Sequence, residues 1–201
     1  MKTIDIAPRS MYYGTPVALI VTLNFDGTEN IAPMSSSWSL RDRIVLGMGT
    51  ASQTVTNLKR HPELSINFPD APLWRHVEAL SGLTGASNVP EHKAAQFRSE
   101  ADKWNVAGFT RVPSARIRPG RIAECPLQME AIVESLSSVE DEPEGFTVIV
   151  ARVKAMHAHE DVVTSAPSAV DPDRWRPLIF SYRTYRSIDI EIGRMNRSVR
   201  S

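Results

Sequence analysis

The chain has 201 residues, is 42% hydrophobic, and carries 23 basic against 23 acidic side chains, for a pI near 7.0. This balance argues against nucleic acid or an anionic membrane as the main partner, and no run reaches the roughly 18 apolar residues that span a bilayer. One cysteine, Cys125, excludes an internal disulfide, and no signal-peptide core follows Met1, so a soluble, cytoplasmic protein of one well-packed domain is expected.

Residues 16–24 form a β-branched run too continuous for a strand with one wet face, which predicts a strand buried on both sides. Phe25-Asp26-Gly27-Thr28 is a hairpin signal, with Gly27 free to take positive φ. The return strand covers 31–38. Pro33 inside it has no N–H to donate and marks a bulge or an edge. A short strand covers 43–48. Ser52 or Thr54 can then cap a helix running to about His61, where Pro62 stops it, and 63–68 returns as a strand. Residues 73–83 and 90–104 are helical in composition, and Ala94, Phe97, Ala101 and Trp104 of the second share one face. A flexible polar loop, 81–88, lies between them. Strand signals resume at 114–117, 127–133 and 146–156, with an acidic surface turn over 137–145. Residues 164–177 read as loop, and the tail from Asn196 is polar and frayed. Many strands, an early meander and a few inserted helices predict a mainly β fold, a barrel with helical excursions.

Binding chemistry concentrates between Asn30 and Asn57. One cluster, Ala32-Pro33-Met34-Ser35-Ser36-Ser37, lies on the predicted return strand; the other, Thr50-Ala51-Ser52-Gln53-Thr54, lies where a helix begins. Hydroxyls and free amides at a helix N-terminus make an anion site, and phosphate is the usual anion. A bulged strand also exposes amides that could face a flat ligand. The bland alternative is an exposed serine face beside an ordinary cap. Gly47-Met48-Gly49-Thr50-Ala51-Ser52, with Asp70 after the next strand, also resembles a damaged dinucleotide fingerprint, which the preceding hairpin opposes.

Elsewhere the signals are thinner. His157 and His159 could share a metal from one strand face, but two ligands without a third are usually solvated or core residues. Cys125 before Pro126 reads as buried packing, and His61 as a favourable charge at a helix end. Asp102-Lys103-Trp104 reads as a helix end offering a cation and an aromatic face, or as a plain cap. Tyr182, Arg183, Tyr185 and Arg186 either line a pocket or form a helix docked on the barrel. There is no Gly-x-Ser-x-Gly, no Walker lysine loop and no His-Glu-x-x-His, so hydrolase and NTPase chemistry lack support.

Asn30-x-Ala-Pro-x-Ser-x-x-Trp38, followed by Gly49-Thr-x-Ser-x-Thr-x-x-Asn57-Leu, resembles the flavin reductase-like FMN-binding split-barrel family, which includes flavoredoxin. Asp102-Lys103-Trp104, Ala107-Gly108-Phe109-Thr110, the stretch from Ile122 to Glu130, and the Tyr182/Tyr185 region agree in order along the chain. The resemblance implies a Greek-key split β-barrel over a core of about 10–193, a homodimer, and FMN near the subunit interface. It places Ala32, Pro33, Met34, Ser35, Ser36 and Ser37 beside the flavin ring and ribityl. Thr50, Ser52, Gln53, Thr54 and Asn57 fall around the phosphate, and Lys103 near the cofactor. The activity implied is NAD(P)H-dependent flavin reduction, with hydride passing to flavin N5; the alternative is an FMN-binding electron carrier without its own NAD(P)H site. FMN brings its own redox chemistry, which fits the lack of an acid–base dyad. The chain departs from the family at its end, where Tyr185 is followed by Arg186-Ser187-Ile188-Asp189 and not by the common Leu-Gly close.

Overall fold

The computed structural model describes residues 1–8, 10–89, 91–140, 145–165 and 169–193, without the side chains of 92 and 93. The first strands are β1 (Tyr13–Pro16), β2 (Ala18–Leu23), β3 (Glu29–Met34), β4 (Ser37–Leu40) and β5 (Arg43–Gly49). Helix α1 (Gln53–Arg60) precedes β6 (Glu63–Phe68). The middle holds a 3-10 turn (Ala71–Leu73), α2 (Trp74–Ala79), β7 (Leu83–Thr84), α3 (Glu91–Ala94) and β8 (Arg98–Ser99). Helix α4 (Lys103–Ala107), β9 (Arg111–Val112) and β10 (Arg121–Ile122) complete it. Two long strands follow, β11 (Leu127–Val139) and β12 (Phe146–Ala158), then the hairpin of β13 (Ile179–Ser181) and β14 (Thr184–Arg186).

Seven strands make one sheet in the order β3-β2-β6-β11-β12-β5-β4, with every pairing antiparallel. Its two edge strands, β3 and β4, are consecutive in the chain and are joined only by Ser35 and Ser36. So short a link spans at most about 10 Å. The sheet must therefore roll until its edges face each other, and the result is a barrel with one open seam. The link stays attached to the β5 side, where Ser36 O accepts from Gly47 N at 2.8 Å. This is the split barrel that the resemblance implies.

The alternation of β2 feeds two cores, as its unbroken apolar run predicts. Ala18 and Ile20 point inward, to Leu64 and Ile66 of β6, Ile44 and Leu46 of β5, and Val55 and Leu58 of α1. Leu19 and Val21 point outward, beneath Val77 and Leu80 near α2, and Phe109. The hairpin after β2 also forms as predicted, with Gly27 at φ 83° and Asn24 N donating to Thr28 O at 2.8 Å.

Several expectations from the sequence need correction. The strand predicted over 31–38 is two strands, broken where the chain crosses the seam. The helix predicted over 73–83 ends near Leu80, because Gly82 takes φ 74° and turns the chain into β7. No single helix covers 90–104: Arg98–Ser99 pairs in parallel with β7, and α4 is a separate helix capped by Asp102. Phe97 and Ala101 are consequently exposed, and only Trp104 of the predicted face packs on a core. No strand forms over 114–117, because the Glu130 carboxylate takes the amides of Ala115 and Arg116. The C-terminal aromatic segment is a hairpin, with Tyr182 and Arg183 at left-handed φ, and not a helix. The strands from 127 and 146 run on as one long hairpin, whose tip at 141–144 lies outside the described residues, as do 166–168 and the tail from Asn196.

Cys125 sits at 0% exposure in the outer core, where burial, reinforced by Glu124 and Asp70, pushes its thiol well above the ordinary range. Such a thiol is inert. Ellman's reagent is expected to label Cys125 only as the protein unfolds; rapid stoichiometric labelling of native protein would contradict this burial.

Candidate functional site

A cavity of about 870 Å³ opens beside the seam. One wall is β3, and the facing wall is the end of β5 with the first turn of α1. The turn from Leu80 to Asn88 closes it, with Gly145–Phe146 and Tyr12 at the rim.

Each wall follows from local sequence. As an edge strand, β3 has a neighbour, β2, on one side only. Ile31 O faces the open side, where it accepts from Lys103 Nζ at 3.0 Å. Pro33, two residues on, shares that side, so its missing N–H costs the sheet nothing. On the facing wall, Ser52 is the cap of α1: its Oγ accepts from Val55 N at 3.3 Å. Thr54 is not a cap. It lies buried within the first turn, and its Oγ1 accepts from Asn30 Nδ2 at 3.2 Å. Among the described residues, Gln53 N and Thr54 N have no acceptor. Two free amides at a helix start, beside Ser52 Oγ and a threonine hydroxyl, are a donor set for an anion.

Lys103 stands behind β3, in the first turn of α4, and is 2% exposed. Its Nζ donates to Asn30 Oδ1 at 2.9 Å, Ile31 O at 3.0 Å and Leu83 O at 3.4 Å. Burial lowers its pKa to about 8, against the opposing pull of Glu100. The Asp102-Lys103-Trp104 segment therefore opens a helix instead of closing one. Trp104 packs on the outer core and is absent from the lining.

Of the residues singled out in the sequence, the cavity gathers Ala32, Pro33, Met34, Ser52, Gln53, Thr54 and Lys103. Ser35, Ser36 and Ser37 line a neighbouring hollow of about 570 Å³ with Trp38 and Tyr13, sharing Tyr12, Gly47 and Phe146 with the first. Tyr12 OH meets Ser36 Oγ at 2.9 Å at that boundary. Thr50 turns its hydroxyl to Thr147 at 3.2 Å. Asn57 is buried behind α1, donating to Thr22 Oγ1 at 3.0 Å and Asn24 Oδ1 at 2.9 Å. The Gln53 amide is likewise turned back, to Asn57 Oδ1 at 2.8 Å, so this residue offers the cavity its backbone.

Asn30 enters the sequence reading only as the first residue of the family pattern, and Gly85 and Phe146 are not among its candidate site residues. The glycines of the 81–88 loop were a signal, since Gly85 is where that turn crosses closest to β3: a Cβ built on it lies 2.2 Å from Asn30 Oδ1. The other candidates disperse. His157 Nε2 contacts Glu130 Oε1 at 2.8 Å and His159 Nε2 contacts Ala123 O at 2.8 Å. Among the described residues no group of three or more His, Cys, Asp or Glu could hold a metal. Gly47 and Gly49 lie within an antiparallel strand, which rules out the dinucleotide fingerprint. Tyr185 OH donates to Glu78 Oε2 at 2.8 Å and packs against Trp74 and Phe180, away from the cavity.

These features match known proteins. Residues 10–189 match the flavin reductase like domain. The protein YdfE of Bacillus subtilis (strain 168), described as uncharacterized, is 39% identical over 195 residues, covering 96% of this chain and 93% of its own. The flavoredoxin of Desulfovibrio vulgaris (Miyazaki F) superposes with a TM-score of 0.78 at 18% identity, over 98% of this chain and 99% of that one. The NADH:FAD oxidoreductase SgcE6 of Streptomyces globisporus C-1027, solved with NAD and FAD fragments, gives 0.65 at 11% identity over 90% and 89%. At such identities the structural likeness is one of fold, and the sequence match extends it to family. The chain belongs to the flavin reductase like domain family.

Proposed function

We propose that the chain is an FMN-binding oxidoreductase of the NAD(P)H:flavin reductase type, and that the seam cavity is its flavin site. The observation that carries this reading is the character of the lining. It presents free amides, hydroxyls and apolar faces, and its titratable groups are Lys103 and Tyr12. Such a wall binds and orients; among the described residues that line it there is no carboxylate or imidazole with which to run acid–base chemistry of its own. Bound FMN would supply the hydride-accepting chemistry. Ser52 Oγ, Gln53 N and Thr54 N would hold the phosphate, and Ala32, Pro33 and Met34 would lie along the ring. Met48 and Phe146 add apolar surface to the lining.

The neighbouring hollow bears on assembly. Trp38 and Leu40 on edge strand β4 are 60% and 65% exposed, and Met11 and Tyr13 are exposed beside them. An apolar edge of this kind next to a binding site is the face on which a second copy would close, giving a homodimer with flavin near the interface. Residues Ser35, Ser36 and Ser37 would then serve at that boundary.

Anaerobic mixing tests the reading. FMN-reconstituted protein is expected to bleach its flavin band on addition of NADH or NADPH. Saturable FMN binding without reduction by either nucleotide would replace the reductase with an electron carrier that takes electrons from a protein donor.

A further inference from the structure

Lys103 is a buried cation in the cavity wall whose three N–H groups are all committed, to Asn30 Oδ1, Ile31 O and Leu83 O. None is left to reach a ligand. Among the described residues no carboxylate pairs with it; Glu100 acts on it only through space. An ammonium out of water is costly unless something compensates its charge. Carbonyl oxygens solvate it here without neutralising it.

The way that charge reaches the cavity is visible. Asn30 is 2% exposed and lies between Lys103 and Thr54. The ammonium demands an acceptor, which fixes the Asn30 amide with Oδ1 toward Lys103 and Nδ2 toward Thr54. Nδ2 donates to Thr54 Oγ1, so the hydroxyl hydrogen of Thr54 must point elsewhere. Thr54 also carries one of the two free amides at the start of α1, beside that of Gln53. Ammonium donates to amide and amide to hydroxyl, a relay polarised in one sense from Lys103 to the start of α1.

Resting on the flavin reading above, we propose that Lys103 is a positioning residue that makes the cavity prefer a flavin bearing a phosphate over the same flavin without one, acting through Asn30 and Thr54 and not by touching the ligand. The phosphate supplies the counter-charge that the described residues of the wall lack. Loss of the Lys103 proton removes that preference. Among the described residues, the charged groups on and beside the elements around Lys103 are Glu100 and Asp102 ahead of α4, Glu91 on α3, Arg98 on β8, and Glu29 on β3, which is held by Arg111 and Gly120 N. Carboxylates and guanidinium groups in general keep their charge from pH 7 to 9. His76 of α2 is engaged by Ala107 O at 2.7 Å.

The test is the ratio of affinities for FMN and riboflavin, measured by equilibrium fluorescence titration. In wild type the preference for FMN should fall about fivefold from pH 7 to 9, as a group titrating near the Lys103 value requires. In Lys103→Met it should be about tenfold smaller at pH 7, the size of one unit charge acting through a protein wall, and flat with pH. Thr54→Val should reproduce the loss at pH 7. A merely structural lysine would weaken both ligands alike and leave the ratio unchanged, which would overturn the inference alone. Where Lys103→Met does not fold, the wild-type pH series and Thr54→Val decide. Failure of wild type to bind either flavin would overturn both the inference and the flavin reading.

Discussion

Gly85→Ala is expected to lose FMN affinity by at least about tenfold while keeping the far-UV spectrum of wild type. A Cβ at this position would lie 2.2 Å from Asn30 Oδ1, 2.9 Å from Asn30 Cγ and 3.1 Å from Gln53 Cγ. Asn30 has no slack with which to withdraw, since Lys103 holds one end of its amide and Thr54 the other. Displacing it takes an acceptor from a buried ammonium. A hydrogen bond to a charged group is worth about 1.5–3 kcal/mol, so stability should fall by about that amount as well. The backbone cost is small by comparison, because Gly85 does not occupy the left-handed region and alanine can adopt its conformation. Wild-type FMN affinity in this variant would show that the wall yields elsewhere, and that Asn30 is not the hinge between cation and cavity.

Glu130→Ala is expected to be the most damaging single substitution for stability, at about 3–5 kcal/mol. The Glu130 side chain is 0% exposed on β11. It accepts from Ala115 N at 2.9 Å and Arg116 N at 2.6 Å, meets His157 Nε2 at 2.8 Å, and has Arg121 Nε at 3.3 Å. Truncation strands all of these at once. Burial pushes the carboxyl upward, but the amides of Ala115 and Arg116 and the His157 ring outweigh it and hold it below the ordinary value. The folded state therefore binds the Glu130 proton less readily than the unfolded chain does. Its contribution is present in full above the unfolded value, near 4.5, and is lost as pH falls through the lower folded value. Urea unfolding of wild type and variant should thus differ most at pH 7, with the difference shrinking as pH falls below 4.5. A constant difference across that range would mean that Glu130 acts by packing and not as a carboxylate.

Local signals were legible where one residue decides the backbone. Gly27 placed the first hairpin, Pro62 ended α1, and the apolar run over 16–24 announced a strand buried on both faces. Pro33 was legible as a bulge or an edge, and the edge is what forms, because a missing N–H is tolerated where no neighbour needs it. The misreadings share a cause: a distant group overrode local composition. Ser114 to Ile117 looks like a strand, but a carboxylate from β11 claims its amides. Residues 90–104 look like one helix, but pairing of Arg98–Ser99 with β7 splits it. In the site the helix-start cluster was legible as a capped helix opening, with Ser52 at the cap. The division of the serine run from it was not, because it depends on the rolled sheet bringing edges β3 and β4 together with Ser35 and Ser36 at the crossing. Lys103 was legible as a cation at a helix end and through the family pattern; its burial behind Asn30 is a tertiary fact with no local trace.

The proposal that the seam cavity takes FMN with its phosphate at the start of α1 is tested by titrating the protein with FMN at pH 7, followed by flavin fluorescence. A saturable change at one FMN per chain is expected in wild type, weakened in Gly85→Ala. An unsaturable change in wild type, or equal binding by the two proteins, would contradict it.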